Sequence, residues 1–333
     1  MVKIDNPVVL CGYERGGTTL LSEILAQNGY QSGFECGVLL CNTPRDFKNL
    51  KPYFDEFPNW WKIPKTEVIE IIHSENFMEF YRKAIEKSGC FQRGFQEKIK
   101  FFDKTPIYMS NLGLVMSNLN FSSKVIVIHR DPRSVFVSWA KRQIKTNQTV
   151  EQFILKNITT LSKRYLHYFS GSIFHKQSPN VLFISFEHLC LDIENHLNII
   201  GHFLDGRKYQ TIKGPVRYSN VTSNKIDIAK VNEYAGYISN ETSDLILETN
   251  KLASKFFSTI DDQIKYGNLF LDKEEAIMRC LKNFDISESH IIIENEFFDP
   301  KRYLLRYSDV LDAKLNPIKH WKNHGKHEGR LPC

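Results

Sequence analysis

Arg15, Gly16, Gly17, Thr18 and Thr19 are consecutive, and together they could hold an anion. Adjacent glycines let the backbone curl so that successive N–H groups converge on one point. A helix that starts near Thr18 would add its positive end. The two threonines supply hydroxyl donors, and Arg15 supplies a fixed charge on a planar fork. The nucleotide-hydrolase signature G-x-x-x-x-G-K-[ST] is absent. A bare turn between strand and helix would not need this combination of Gly-Gly, Thr-Thr and a cation.

A second group lies in "HRDPRSVFVSW", residues 129–139. Arg130 follows an apolar run, Asp131-Pro132 reads as a helix N-cap with proline at the first helical position, and Ser138 lies two helical turns further on. In magnesium-dependent P-loop enzymes, an acidic residue at such a strand end often helps to hold the metal. A cation stands here instead. Arg130 could pair with a structural carboxylate, but a cation at each of two similar turns points to a ligand with two separate anionic groups.

These residues need a scaffold that delivers them to one edge. The runs "PVVLCGY" (7–13), "KIKFFDKTP" (98–106), "KVIVIHR" (124–130) and "NVLFISFEHLC" (180–190) read as buried strands. "TLLSEILAQNG" ends at Gly29 and "LDIENHLNIIGHFLDG" at Gly206, and both read as helices. Residues 65–89 carry one amphipathic helical pattern, and residues 151–170 continue helically. Residues 42–64, with four prolines, read as loop. Buried strands alternating with helices predict an α/β fold, a parallel sheet with helices on both faces. Ligands of such sheets bind beyond the carboxyl ends of the strands, where Arg15, Lys104 and Arg130 fall.

The bulk numbers set limits. A chain of 333 residues, 42% hydrophobic and 13% aromatic, can build one large domain with a smaller addition. The net charge of +6 suits an anionic ligand but does not argue for nucleic acid. No apolar run approaches the ~20 residues of a membrane helix. Seven cysteines without a CxxC pair, and a first strand too near the N-terminus to leave room for a signal peptide, lead us to expect reduced thiols and a cytoplasmic location.

Four segments, in order, resemble sulfotransferases that use 3′-phosphoadenosine 5′-phosphosulfate (PAPS). "YERGGTTLLSEIL" resembles their 5′-phosphosulfate loop. "IHRDPRSVFVSW" is similar to their 3′-phosphate motif, with matching positions at Arg130 and Ser138. "VLFISFEHL" resembles the strand that follows, and "DKTP" (103–106) the Lys-Thr-Pro segment of bacterial and Golgi-type members. The likeness spans about residues 5–205. It implies a P-loop-like fold and metal-free, in-line transfer of a sulfuryl group from PAPS to a hydroxyl or amine of a glycan, phenol or peptide. Arg15, Gly16, Gly17, Thr18, Thr19, Arg130 and Ser138 would bind the donor. Arg15 and Lys104 would stabilise the charge developing in transfer.

Cytosolic members take the acceptor's proton with a histidine; Pro106 stands at that place here. Other branches use a glutamate in the loop after the first helix, which corresponds to Glu35. Asp103 is expected to orient Lys104, and His129 to pack at its strand end. "KGPVRYSNVTSNKID" (213–227) is the expected equivalent of the loop over the adenosine. Two other readings stay open: an ATP-dependent small-molecule kinase, and a non-catalytic nucleotide-binding protein on a degenerate sulfotransferase fold.

The C-terminal stretch spaces His320, His324 and His327 as on a helix, but has no H-E-x-x-H and no second ligand cluster. It resembles a short module appended to bacterial surface-polysaccharide and secreted proteins. The expected division is therefore a sulfotransferase domain over residues 1–265 and a small helical accessory module over 270–333, with no metal.

Overall fold

The structure, a computed structural model, describes residues 3–91, 98–145, 147–210, 230–263, 277–286, 291–293 and 296–332. By packing, the chain divides into two compact units, Met1–Ile260 and Asp261–Cys333.

In the first unit, strand β1 (Val8–Gly12) leads into helix α1 (Thr18–Gln27). Three short helices follow, α2 (Tyr53–Trp60), α3 (Val68–Ile72) and α4 (Phe77–Lys87). Then come β2 (Phe102–Lys104), α5 (Leu112–Ser117), β3 (Val125–His129), α6 (Pro132–Gln143) and α7 (Val150–Ser172). The core closes with β4 (Val181–Ser185), α8 (Phe186–Leu191), α9 (Ile193–Asp205), α10 (Asn240–Thr249) and α11 (Lys251–Gln263).

The four strands form a parallel sheet in the order β2-β1-β3-β4. Every residue of β1 and β3 is buried, as a sheet covered on both faces requires. The apolar face of α1, with Leu20, Leu21, Ile24 and Leu25, packs with Leu10, Ile126, Ile184 and Leu197 in one cluster. The chain runs from β1 to β2 on one side and then to β3 on the other. This reversal opens a crevice at the carboxyl edge of β1. Among the described residues, no helix is long and apolar enough to cross a membrane.

Three local expectations need correction. Residues 42–64 are not loop: a 3₁₀ helix (Pro44–Asn49) and α2 occupy most of them, despite Pro58 inside α2. Asp46 accepts bonds from the amide and hydroxyl of Thr43, both 2.9 Å. Phe47 and Phe57 pack edge to face at 5.4 Å, and both meet Phe80 of α4. Aromatic burial outweighs the one backbone hydrogen bond that a proline removes. Residues 65–89 are not one helix. Ser74 Oγ bonds back to the Ile71 carbonyl at 2.7 Å, and Asn76 Oδ1 caps the new helix by accepting from Glu79 N at 2.9 Å. Short polar side chains offer the backbone these alternatives. Finally, β4 stops at Ser185, whose hydroxyl accepts from His188 N and starts α8.

In the second unit, β5 (Ile291–Ile293) and β6 (Glu296–Phe298) pair antiparallel. Short helices at Pro300–Arg306, Ser308–Asp312 and Pro317–His320 follow. Phe298, Tyr303, Leu304 and Trp321 are buried in its core. His320 Nδ1 lies 3.0 Å from the Tyr303 hydroxyl. Among the described residues, no group of three or more His, Cys, Asp or Glu is placed to hold a metal.

Candidate functional site

The first turn is built by the backbone. Gly16 N donates to the Tyr13 carbonyl at 2.8 Å, which closes the chain just after β1. Arg15 takes a left-handed conformation at φ 66°, and Gly17 follows at φ 101°. A Cβ on Gly17 would lie 2.3 Å from the Phe186 ring, so conformation and space both require glycine. Gly17 is the N-cap of α1, with no side chain satisfying the first amides. Those N–H groups are therefore left without a side-chain partner at the helix's positive end, where an anion can meet them. Thr18 is buried, Thr19 half-buried and Arg15 exposed.

The second turn interlocks with the first. Asp131 caps α6 by accepting from Arg133 N at 2.8 Å, with Pro132 at the first helical position. Arg130, only 5% exposed, donates from Nη1 to the Arg15 carbonyl at 2.9 Å. Arg15 Nε in turn donates to Ser138 Oγ at 3.1 Å. Arg15 is thus joined in one chain of contacts to Arg130, 115 residues on, and to Ser138, 123 residues on. The guanidinium of Arg130 lies over the Phe186 ring, 4.4 Å from its centre. The ring of His129 stacks on Phe257 at 4.2 Å. Glu187, in the first turn of α8, braces the second turn, accepting from Asp131 N at 3.0 Å and Ser185 Oγ at 3.1 Å. Its burial pushes its pKa up.

Sequence reasoning missed the other partners of Arg130. Nη2 donates to the Lys230 carbonyl at 2.5 Å and lies 3.5 Å from Glu233. Glu233 also pairs with Lys141 at 2.6 Å and Lys230 at 3.1 Å. Three cations thus converge on one carboxylate at the second turn. Burial pushes its pKa up, but the bonds from Lys141 and Lys230 outweigh this and lower it. No motif signals Glu233, because it reaches Arg130 only through the tertiary fold. The expected adenosine loop, 213–227, lies outside the described residues.

The other side of the crevice carries the second predicted group. Lys104 ends β2, in register with Leu10 of β1. Its Nζ lies 2.8 Å from Glu35 Oε1 and 4.3 Å from the centre of the Phe34 ring. Phe34 meets Trp60 edge-on at 5.1 Å, and Trp60 meets Tyr53 at 6.2 Å. Burial, then the nearby carboxylates of Glu35, Glu14 and Asp103, pushes the Tyr53 phenol pKa well up. Aromatic rings and carboxylates therefore share this side.

Asp103 is not placed as expected. Instead of Lys104, three hydroxyls donate to its fully buried carboxylate: Tyr81 at 2.6 Å, Tyr108 at 2.7 Å and Thr105 at 2.8 Å. Burial raises its pKa, against the pull of those bonds. Of the nine predicted site residues, Lys104 ends β2, Arg130 follows β3, and residues 15–19 follow β1, while Ser138 lies within α6 and Glu35 in the loop after α1. Hydrogen bonds from Arg130 and to Ser138 join these two residues to Arg15 of the first turn, and Lys104 and Glu35 form a separate pair.

A sequence profile described as the sulfotransferase domain matches residues 5–230 of the chain. No curated protein sequence matches it significantly. Among solved structures, it is similar to the sulfotransferase domain of the Synechococcus PCC 7002 olefin synthase. The two are 18% identical, with 74% of this chain and 95% of that domain covered at a TM-score of 0.51. A sulfotransferase domain from the curacin biosynthetic pathway is 14% identical, with 74% and 97% covered at 0.49. A mouse sulfotransferase complexed with PAP is 13% identical, with 85% and 91% covered at 0.42. The likeness to the olefin synthase domain, at 18% identity, is one of fold alone.

Proposed function

The chain belongs to the sulfotransferase domain family, and from that premise we propose that it moves a sulfuryl group from PAPS to an acceptor hydroxyl or amine. The supporting observation is the chain of contacts from Arg130 to the Arg15 carbonyl and from the Arg15 side chain to Ser138. It joins two cation-bearing turns on neighbouring strands, one for each anionic end of the donor. The 5′-phosphosulfate would lie against the amides of residues 17–19 and the hydroxyls of Thr18 and Thr19. The 3′-phosphate lies at Arg130 and Ser138.

In the transfer, the acceptor oxygen attacks sulfur while the bond from sulfur to the donor's bridging oxygen breaks. The electron pair leaves on adenosine 3′,5′-bisphosphate. The acceptor's proton passes to Glu35, whose Oε1 stands beside Lys104. Arg15 and Lys104 are the fixed charges that meet the negative charge growing on the bridging and sulfuryl oxygens. Phe34, Tyr53 and Trp60 form the apolar wall on which a sugar or phenol ring of the acceptor lies.

Thermal shift with adenosine 3′,5′-bisphosphate, PAPS and ATP-Mg²⁺ tests the reading. A ligand present at ~100 times its dissociation constant adds about 2.7 kcal/mol of stability. The two 3′-phosphorylated nucleotides are expected to raise the melting temperature and ATP-Mg²⁺ to leave it unchanged. Stabilisation by ATP-Mg²⁺ alone would favour a kinase. Binding of PAPS without release or transfer of labelled sulfate would favour a non-catalytic binder.

A further inference from the structure

The buried Asp103 cluster has no part in the reading above, yet it joins the two segments that carry Lys104 and Glu35. Thr105 Oγ1 donates to Asp103 Oδ1 at 2.8 Å. The same oxygen accepts from Cys36 N at 3.0 Å and Gly37 N at 3.3 Å. Its one proton is therefore committed to Asp103 and its lone pairs to the loop that begins at Glu35. Tyr108 repeats the pattern: its hydroxyl donates to Asp103 Oδ2 at 2.7 Å and lies 3.4 Å from Leu39 N. Tyr81, from α4, supplies the third donor at 2.6 Å. Asp103 and Thr105 are fully buried, so no water competes for these bonds. A carboxylate with three donors is an anchor whose every partner is spoken for.

The consequence falls on neighbouring residues. Lys104 lies between Asp103 and Thr105 on the chain. Glu35 immediately precedes Cys36, whose amide Thr105 holds. Other groups hold the loop on either side, with Trp61 Nε1 donating to the Phe34 carbonyl at 3.2 Å and Gly37, at a left-handed φ of 81°, lying against the Tyr53 ring, but the Cys36 and Gly37 amides both go to Thr105. We propose that Asp103 and Thr105 are positioning residues for the transfer, acting together as a clamp that sets the Glu35 carboxylate against the Lys104 ammonium. The proposal rests on the role given above to Glu35. The clamp touches neither donor nor acceptor; it determines where the base stands against the cation.

Thr105→Val keeps the shape of the side chain but removes both the bond to Asp103 and the acceptor for Cys36 and Gly37. Thr105→Ser restores them. The readouts are release of labelled sulfate from PAPS to water, which needs no knowledge of the acceptor, and binding of adenosine 3′,5′-bisphosphate by calorimetry. With the clamp lost, release falls about 100-fold, the scale of a ~1 Å misplacement at a reacting centre. Bisphosphate affinity stays within about twofold, well under the ~1.4 kcal/mol of a tenfold change. Serine restores release to within about threefold. In a Glu35→Gln background, Thr105→Val has no further effect, because it acts through Glu35.

An equal fall with and without Glu35, or a parallel loss of bisphosphate affinity, would overturn the clamp and leave a merely structural cluster. Unchanged release in Glu35→Gln would remove the base and the clamp's purpose together. Inactive Glu35→Gln beside fully active Thr105→Val would remove the clamp alone. If Asp103→Asn fails to fold, Thr105→Val and its serine rescue still decide the matter.

Discussion

The two sides of the crevice are built by different means. At the interlocked turns, main chain does most of the placing. Gly16 N closes on Tyr13, Gly17 caps α1, and Arg130 reaches the carbonyl of Arg15. At the other side, side chains do it. Glu35 meets Lys104 across 69 residues, and a buried carboxylate with three hydroxyl donors holds the segments that carry them. A turn made of backbone tolerates the loss of one side chain, because amides and helix end remain. A pair held by a relay of side chains has no such reserve. The two sides should therefore fail differently: the turns by graded loss of affinity, the pair by loss of rate.

Substitution at the pair should give the largest effect. Glu35→Gln is expected to lower sulfate transfer from PAPS by about 100-fold or more, the usual contribution of a general base. Binding of adenosine 3′,5′-bisphosphate should stay intact, as calorimetry and single-turnover measurements would show. Matched losses of rate and affinity would erase the distinction between the sides.

At the turns, Arg130→Ala is expected to weaken adenosine 3′,5′-bisphosphate by about 10- to 100-fold, as for a lost hydrogen bond to a charged group. Adenosine 5′-phosphosulfate, which lacks the 3′-phosphate, should be nearly unaffected. Equal losses for both ligands would contradict the division of the donor between the turns. Ser138→Ala removes the bond from Arg15 Nε and should cost the bisphosphate about fivefold, the worth of one ordinary hydrogen bond.

Glu233 makes the comparison finer. It is an anion already seated among Arg130, Lys141 and Lys230, and an incoming phosphate must share those cations. Glu233→Gln is expected to tighten the bisphosphate about threefold, within the range of a surface ion pair. Weaker binding would instead make Glu233 a support for Arg130. The smallest effect is one of pH. The folded-state pKa of Glu233 is lowered, so its contribution is fully present above the ordinary glutamate value. It is lost as pH falls through the lowered one. Amide exchange of residues 231–238, corrected for intrinsic rate, should therefore speed up on acidification in wild type and not in Glu233→Gln.

Legibility in the sequence follows the same division. The turns were readable because their signals are local: Gly-Gly before a helix, Asp-Pro at a helix start, Arg130 and Ser138 two turns apart. Lys104 is legible as a cation at a strand end, whereas Glu35 enters only through family resemblance. Nothing near Glu35 or Lys104 announces a partner, and Asp103, beside Lys104, turned out to hold the neighbouring loop. Where local patterns misled, burial or capping was the cause. The proline-rich stretch 42–64 folds because Phe47, Phe57 and Phe80 bury one another. The single helical pattern of 65–89 breaks where Ser74 and Asn76 capture backbone groups.

By itself, the sequence determined the parallel α/β class and the two cation-bearing turns, since strand burial, helix starts and glycine turns depend on residues within a few positions of each other. Only the tertiary structure decided that Arg130 crosses to the Arg15 carbonyl, that Glu233 occupies the same cations, and that Asp103 anchors the Glu35 loop through Thr105. Those contacts join segments 68 to 115 residues apart. Their partners are chosen by strand order and register, which bring remote chain ends to one edge of the sheet.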